Sequence, residues 1–179
     1  MSDATEERLD ALEARLTRAE DELAVHRLIV RYGLAVDAGE AEAAMELFTD
    51  DTVYEVAAVG TGMDGDTDRT FVMKGRDAVG QMVRSDVHQA LLPNAAHTPG
   101  PVVVEVDGDR ARATGYTRIY HRRGEDDFTL FRLAVNHYEC VKRDGKWLID
   151  RRRSDVLGSA TVQGLMRLGL ATASDGRSR

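Results

Sequence analysis

Arg31-Tyr32-Gly33-Leu34-Ala35-Val36-Asp37-Ala38-Gly39, followed by Met45-Glu46-Leu47-Phe48-Thr49-Asp50-Asp51, is the stretch on which the fold turns. Up to Val36 the apolar residues recur at helical spacing, the pattern of a helix with one buried face. Gly39 then offers the left-handed conformation that commonly ends a helix. Just upstream, Val25, Leu28, Ile29, Tyr32, Leu34, Ala35 and Val36 form a broad stripe, so this half reads as core. Further upstream, Leu9, Leu12, Leu16, Ala19 and Leu23 are spaced 3, 4, 3, 4, a short coiled-coil-like seam. That seam fits either a neighbouring molecule or its own domain.

Downstream of Gly39 a second helix is expected over roughly Glu40 to Phe48. Thr49-Asp50-Asp51 is expected to turn into a strand from Thr52 to Ala58. Gly60 to Asp68 is rich in glycine turn signals and reads as a mobile loop. A short strand, Thr70 to Lys74, and Gly75-Arg76-Asp77 lead to a third helix ending near Val87. The remainder is β. Ala95 to Val106 is extended, Asp107-Gly108 is a hairpin signal, and Arg110 to His121 alternates. Gly124-Glu125-Asp126 turns into a long strand, Phe128 to Val141, and Asp144-Gly145 turns into Lys146 to Arg153. Ser159 to Leu170 is amphipathic, and Ser174 to Arg179 reads as a disordered tail. Helices first and an antiparallel meander last predict an α+β fold, a curved sheet with helices across one face. The organisation expected is an N-terminal helical extension (residues 1–22), one domain (23–156) and a C-terminal segment (157–179).

Composition narrows the function classes. The 179 residues fit one domain with tails, and 42% hydrophobic content is enough for a core. Lysine plus arginine number 24 against 31 acidic residues, a net charge of −7, so nucleic acid is not an expected partner. Arg151-Arg152-Arg153 does not change this, because neighbours on a strand face opposite ways. Cys140 is the only cysteine, which excludes an intramolecular disulfide. No apolar run has membrane-spanning length and the N-terminus lacks an apolar signal core, so a cytoplasmic location is expected. The five histidines show no tight ligand spacing, and phosphate-loop, dinucleotide, zinc-helix and nucleophile-elbow motifs are missing. No metal and no cofactor are expected.

Candidate chemistry rests on a few residues. Asp37 falls at the C-terminal end of the first helix, where the dipole disfavours a carboxylate unless a partner compensates. The plain alternative is a solvated turn aspartate. His97, among small residues at the start of a strand, has the chemistry of a general base. Tyr32 and Tyr54 read as core tyrosines able to flank a groove. Ala111, Ala113, Gly115, Thr117, Ile119 and His121 share one strand face. Arg132, Asn136 and Tyr138 share one face of the next strand, and Trp147, Ile149, Arg151 and Arg153 one face of the last. An inward Arg151 or Arg153 would suit an anionic or carbonyl group.

The opening stretch quoted above resembles SnoaL-like proteins of the NTF2-like superfamily. So do Gly75-Arg76-Asp77-Ala78, His97 opening a strand, Val106-Asp107-Gly108-Asp109-Arg110-Ala111, and Tyr138-Glu139 followed by Arg143-Asp144-Gly145-Lys146-Trp147. The likeness spans roughly Leu9 to Ser154 and is closest to the bile acid 7α-dehydratase and scytalone dehydratase groups. Those enzymes use a Tyr, an Asp five residues on, and a His, which map here to Tyr32, Asp37 and His97. The resemblance implies a cone-shaped fold: a curved, mostly antiparallel sheet with three N-terminal helices on its concave face around a pocket. It also implies an Asp–His dyad, no cofactor, and a homo-oligomer, a trimer ahead of a dimer. The pocket arginine of the bile acid enzymes would fall near Val156 here, which leaves Arg151 or Arg153 to substitute.

The function expected is therefore a lyase (dehydratase) or isomerase acting on a small hydrophobic ketone or hydroxy compound, polycyclic ones included. Tyr32, Asp37 and His97 are the catalytic candidates. Tyr54, His121, Asn136, Tyr138 and Arg153 are the substrate-binding candidates. The alternatives are a non-catalytic ligand-binding protein and a structural small subunit of a ring-hydroxylating dioxygenase.

Overall fold

The computed structural model describes residues 3–59 and 68–171. The expected mobile loop, apart from Asp68, and the expected tail from Ser174 lie outside them. The chain opens on one helix of 35 residues, α1 (Asp3–Asp37), followed by the short α2 (Ala41–Met45). Strands β1 (Phe48–Val59) and β2 (Asp68–Lys74) precede α3 (Arg76–Arg84) and α4 (Asp86–Gln89). Then come β3 (Ala95–Asp107), β4 (Arg110–Arg122), β5 (Phe128–Arg143), β6 (Lys146–Val156) and α5 (Val162–Ala171). The six strands form one curved, unclosed sheet in the order β2-β1-β6-β5-β4-β3. Only β1 and β6 run parallel; the other pairs are antiparallel. Among the described residues no helix is long and apolar enough to cross a membrane.

The helices fill the inner face of this sheet. Val25, Ile29 and Val36 of α1, Ala44 of α2 and Val79 and Val83 of α3 are buried in one cluster with Ala111, Ala113, Tyr138, Cys140 and Ile149 of the strands. Ala111 and Ala113, near the start of β4, are both buried in this cluster. Burial pushes the Cys140 thiol up to about 12, so it behaves as a core residue. On the outer face α5 packs Val162 and Leu165 against Val135 of β5. The β5–β6 turn places Asp144 at φ +50° and Gly145 at +75°, both central residues left-handed, as a tight hairpin requires.

The structure departs from the expected elements at the second helix, which ends at Met45 while Phe48 opens β1, and in three further places. The segment Thr49-Asp50-Asp51 is strand, not turn. Its register against β6 shifts between Phe48 and Val53, and two buried threonines hold the irregularity together. Thr49 donates to Asp150 Oδ1 at 3.1 Å and Thr52 to the Asp150 carbonyl at 2.9 Å. The third helix is split at Ser85, whose backbone is extended and whose hydroxyl accepts from the His88 N–H at 3.3 Å, restarting the helix as α4. Leu34, assigned to the core stripe, is 65% exposed.

Candidate active site

Asp37 is the last residue of α1, and the backbone beyond it closes in a Schellman arrangement. Gly39, at φ +71°, donates its N–H to Val36 O at 3.1 Å, and Glu40 donates to Ala35 O at 2.9 Å. His88 from α4 adds a ring Nε2–H to Val36 O at 2.8 Å, since a carbonyl only accepts. The helix end is thus held from two sides.

Gly33 brings this end onto β3. A Cβ at Gly33 would stand 2.8 Å from the His97 carbonyl oxygen and 3.3 Å from Pro99 Cδ, so only glycine lets α1 lie this close. One turn later Asp37 comes level with His97. Its Oδ1 accepts from His97 Nδ1 at 2.5 Å, and its Oδ2 accepts from the His97 backbone N–H at 2.6 Å. These two donors offset the unfavourable end of the helix dipole. A carboxylate oxygen accepts, so Nδ1 carries the proton, and in the neutral ring the lone pair is on Nε2. The Asp37 and His97 side chains are 20% and 18% exposed, sheltered yet within reach of a ligand.

A second cluster sits deeper on the same face. The Tyr32 ring meets Phe48 edge-on at 5.4 Å and Tyr54 at 6.4 Å. The Arg152 guanidinium lies 4.4 Å from the Tyr32 and Tyr54 ring centres and 5.4 Å from that of Tyr138, all within cation–π range. Its Nε donates to Asn136 Oδ1 at 3.2 Å. Arg152 Nη1 and Asn136 Nδ2 are buried with no hydrogen-bond partner among the described residues. Burial is the main cause that raises the Tyr32 and Tyr138 hydroxyls above the usual phenol range, although the Arg152 charge opposes it. Both phenols therefore stay protonated and can donate.

The strand faces read from the sequence hold for β4 and β5 and break on β6. Ile119, Gly115 and Ala113 pair with Arg132, Asn136 and Tyr138, so those residues share the inner face. On β6, Cys140 pairs with Ile149 but Glu139 pairs with Arg151, leaving Asp150 as an extra residue. The bulge shifts the alternation: Trp147 and Ile149 face inward, then Arg152. Arg153 points outward and pairs with Asp155 at 3.1 and 3.2 Å. The inward arginine is therefore Arg152, which strict alternation assigned to the other face. His121 stands near the end of β4, paired with Ala95, its ring 6.2 Å from Phe131. His88 and Gly33 had no distinguishing signal beyond residue type.

On the outer face a groove of about 720 Å³ runs between the sheet and α5, lined by Glu55, Glu105, Arg112, Glu139 and Arg153 among others. Its charges are of mixed sign and it lies across the sheet from the dyad, so the Asp37–His97 pair defines the candidate site.

The description "SnoaL-like domain" matches residues 17–153. An NTF2-like protein with a cystatin-like fold from Novosphingobium aromaticivorans is 32% identical, with 88% of this chain and 96% of that one covered and a TM-score of 0.76. A candidate scytalone dehydratase from the same organism is 20% identical, with 78% and 86% covered and a TM-score of 0.61. The β subunit of a candidate aromatic-ring-hydroxylating dioxygenase, also from that organism, is 18% identical, with 80% and 90% covered and a TM-score of 0.60. The last two share the fold alone. No curated protein matches the chain by sequence. The chain belongs to the SnoaL-like domain family of the NTF2-like superfamily.

Proposed function

We propose that the chain is a lyase or isomerase that removes a proton next to the carbonyl of a small hydrophobic ketone or hydroxy ketone. The observation that carries this reading is the hydrogen-bonded Asp37–His97 pair, with ring nitrogen and carboxylate 2.5 Å apart. Asp37 fixes the ring and its tautomer, so Nε2 is the base. The C–H electron pair moves into the carbonyl to form an enolate, and the proton passes to Nε2. A protonated Tyr32 donates to the enolate oxygen. From a β,γ-unsaturated ketone the enolate is a dienolate and takes a proton at the γ carbon, giving the conjugated isomer; from a β-hydroxy ketone it expels the hydroxyl, giving an enone and water. His97, now an imidazolium, supplies the proton in either case. Tyr54, Tyr138 and Asn136, on the inner face with Arg152, are the groups that would hold the substrate's far end.

The test is deuterium uptake from D₂O next to the carbonyl in a panel of cyclic ketones, with enone absorbance read on β-hydroxy ketones. His97→Ala should lower either rate by about 10²–10⁴-fold. Asp37→Asn should approach ~10⁴-fold, because the amide no longer dictates the tautomer. Equal rates for wild type and His97→Ala would sink the proposal. Ligand binding without exchange or water loss would identify a binding protein instead.

A further inference from the structure

The first part of α1 is not covered by its own domain. Residues 3–20 are all exposed, and the domain first engages the helix at Asp21. Leu9, Leu12, Leu16 and Leu23 are 43%, 47%, 59% and 48% exposed, and Val30 is 49% exposed. With Ala19 these residues fill the a and d positions of consecutive heptads from Leu9 to Val30, except that His26 holds the third d position. At about 100° per residue the seam lies on the opposite side of the helix from Asp21, Val25, Leu28, Tyr32 and Val36, which face the domain. A partner helix can therefore run along the seam without meeting the domain it belongs to.

The flanking charges say what that partner is. With Leu9 at a, the e positions are Glu13, Glu20 and Arg27, and the g positions are Arg8, Arg15 and Glu22. In a parallel, in-register pair, each g residue faces the e residue five places on in the other chain. The three pairs are then Arg8 with Glu13, Arg15 with Glu20, and Glu22 with Arg27. Every pair is opposite in charge, and the sign reverses in the third together on both sides. An antiparallel pair over the same three heptads would set e against e and g against g, leaving Glu20 opposite Glu20 and Arg15 opposite Arg15 at its centre. Complementarity is thus complete in the parallel pair and broken at the centre of the antiparallel one.

We propose that α1 forms a parallel, in-register coiled coil with α1 of a second copy of this chain, with the two domains on the outside of the pair. The test uses the full chain. Arg8→Glu with Arg15→Glu makes the flanks acidic, and Glu13→Arg with Glu20→Arg makes them basic. All four positions are exposed and away from the core, and Trp147 fluorescence checks that the domain stays folded. The wild type should sediment as an assembly. Each double variant should raise the dissociation constant by about tenfold or more, and mixing the two variants one to one should restore assembly. Leu9→Cys should cross-link to itself under mild oxidation, as parallel register requires, while the buried Cys140 does not. A monomeric wild type, an unchanged mass in both double variants, a mixture without recovery, or a Leu9→Cys chain that does not cross-link would each overturn the proposal.

Discussion

Residues 3–20 and residues 21–37 belong to one unbroken helix, yet every residue of the first half is exposed while Val25 and Val36 in the second are fully buried. Both halves carry apolar residues at helical spacing. The second half is held by three kinds of contact: its apolar stripe on the sheet, Asp37 on His97, and Asp21 at the point where the helix leaves the domain. There Asp21 Oδ1 accepts from Lys142 Nζ and from Trp147 Nε1, each at 2.8 Å. Periodicity therefore announces a helix in both halves, but burial depends on what the rest of the chain brings alongside. The first half stays exposed; the second is a mount for a carboxylate.

Four measurements sharpen or break that contrast. Ile29→Ala, in the buried half, should cost about 2–5 kcal/mol in urea unfolding followed by Trp147 fluorescence. Gly33→Ala should cost about 1–3 kcal/mol, because its methyl group meets the His97 carbonyl and either α1 or β3 must shift. The same variant should also lower turnover by an order of ~10²-fold, since moving α1 separates Asp37 from His97. Unchanged stability and turnover would show that the close approach at Gly33 does not position the dyad.

Asp21→Asn should cost on the order of 1 kcal/mol at neutral pH, as a charge-assisted acceptor becomes a neutral one. Burial alone would raise the Asp21 carboxyl, but the hydrogen bonds from Lys142 and Trp147 and the lysine charge outweigh it and lower the pKa below the usual value of 3.8. A depressed folded-state pKa gives stability that is present above the unfolded pKa and lost as pH falls through the folded one. The gap between wild type and Asp21→Asn should therefore hold above pH ~5 and close below ~4. A gap independent of pH would mean that the Asp21 charge contributes nothing. Smallest of all, Leu12→Ala in dilute solution should move the unfolding of the single chain by less than about 0.5 kcal/mol, as an exposed substitution does. A cost like that of Ile29→Ala would show that the first half packs on its own domain.

Local rules carried much of the fold. Helical and alternating periods, Gly39, Asp107-Gly108 and Asp144-Gly145 set the order of helices and strands, because each acts within a few residues of itself. The inner-face assignments of Ala113, Gly115, Asn136 and Tyr138 followed from a period of two, which holds wherever a strand is regular. Asp37 and His97 could be singled out by position and chemistry, but local rules did not join them across 60 residues; the dyad was an implication of the resemblance alone. Their contact exists because Gly33 lets α1 rest on β3 and the Schellman turn stops the helix level with His97. Arg152 took the inward place expected of Arg151 or Arg153 because Asp150 is an extra residue, and a bulge arises from pairing between strands. The strand at Thr49-Asp50-Asp51 has the same origin, a partner strand supplied from elsewhere in the chain, whereas the break at Ser85 is a local cap. Short-range conformational preference decides which elements form; the packing of one element on another decides which side chains meet, and the candidate site consists of such meetings.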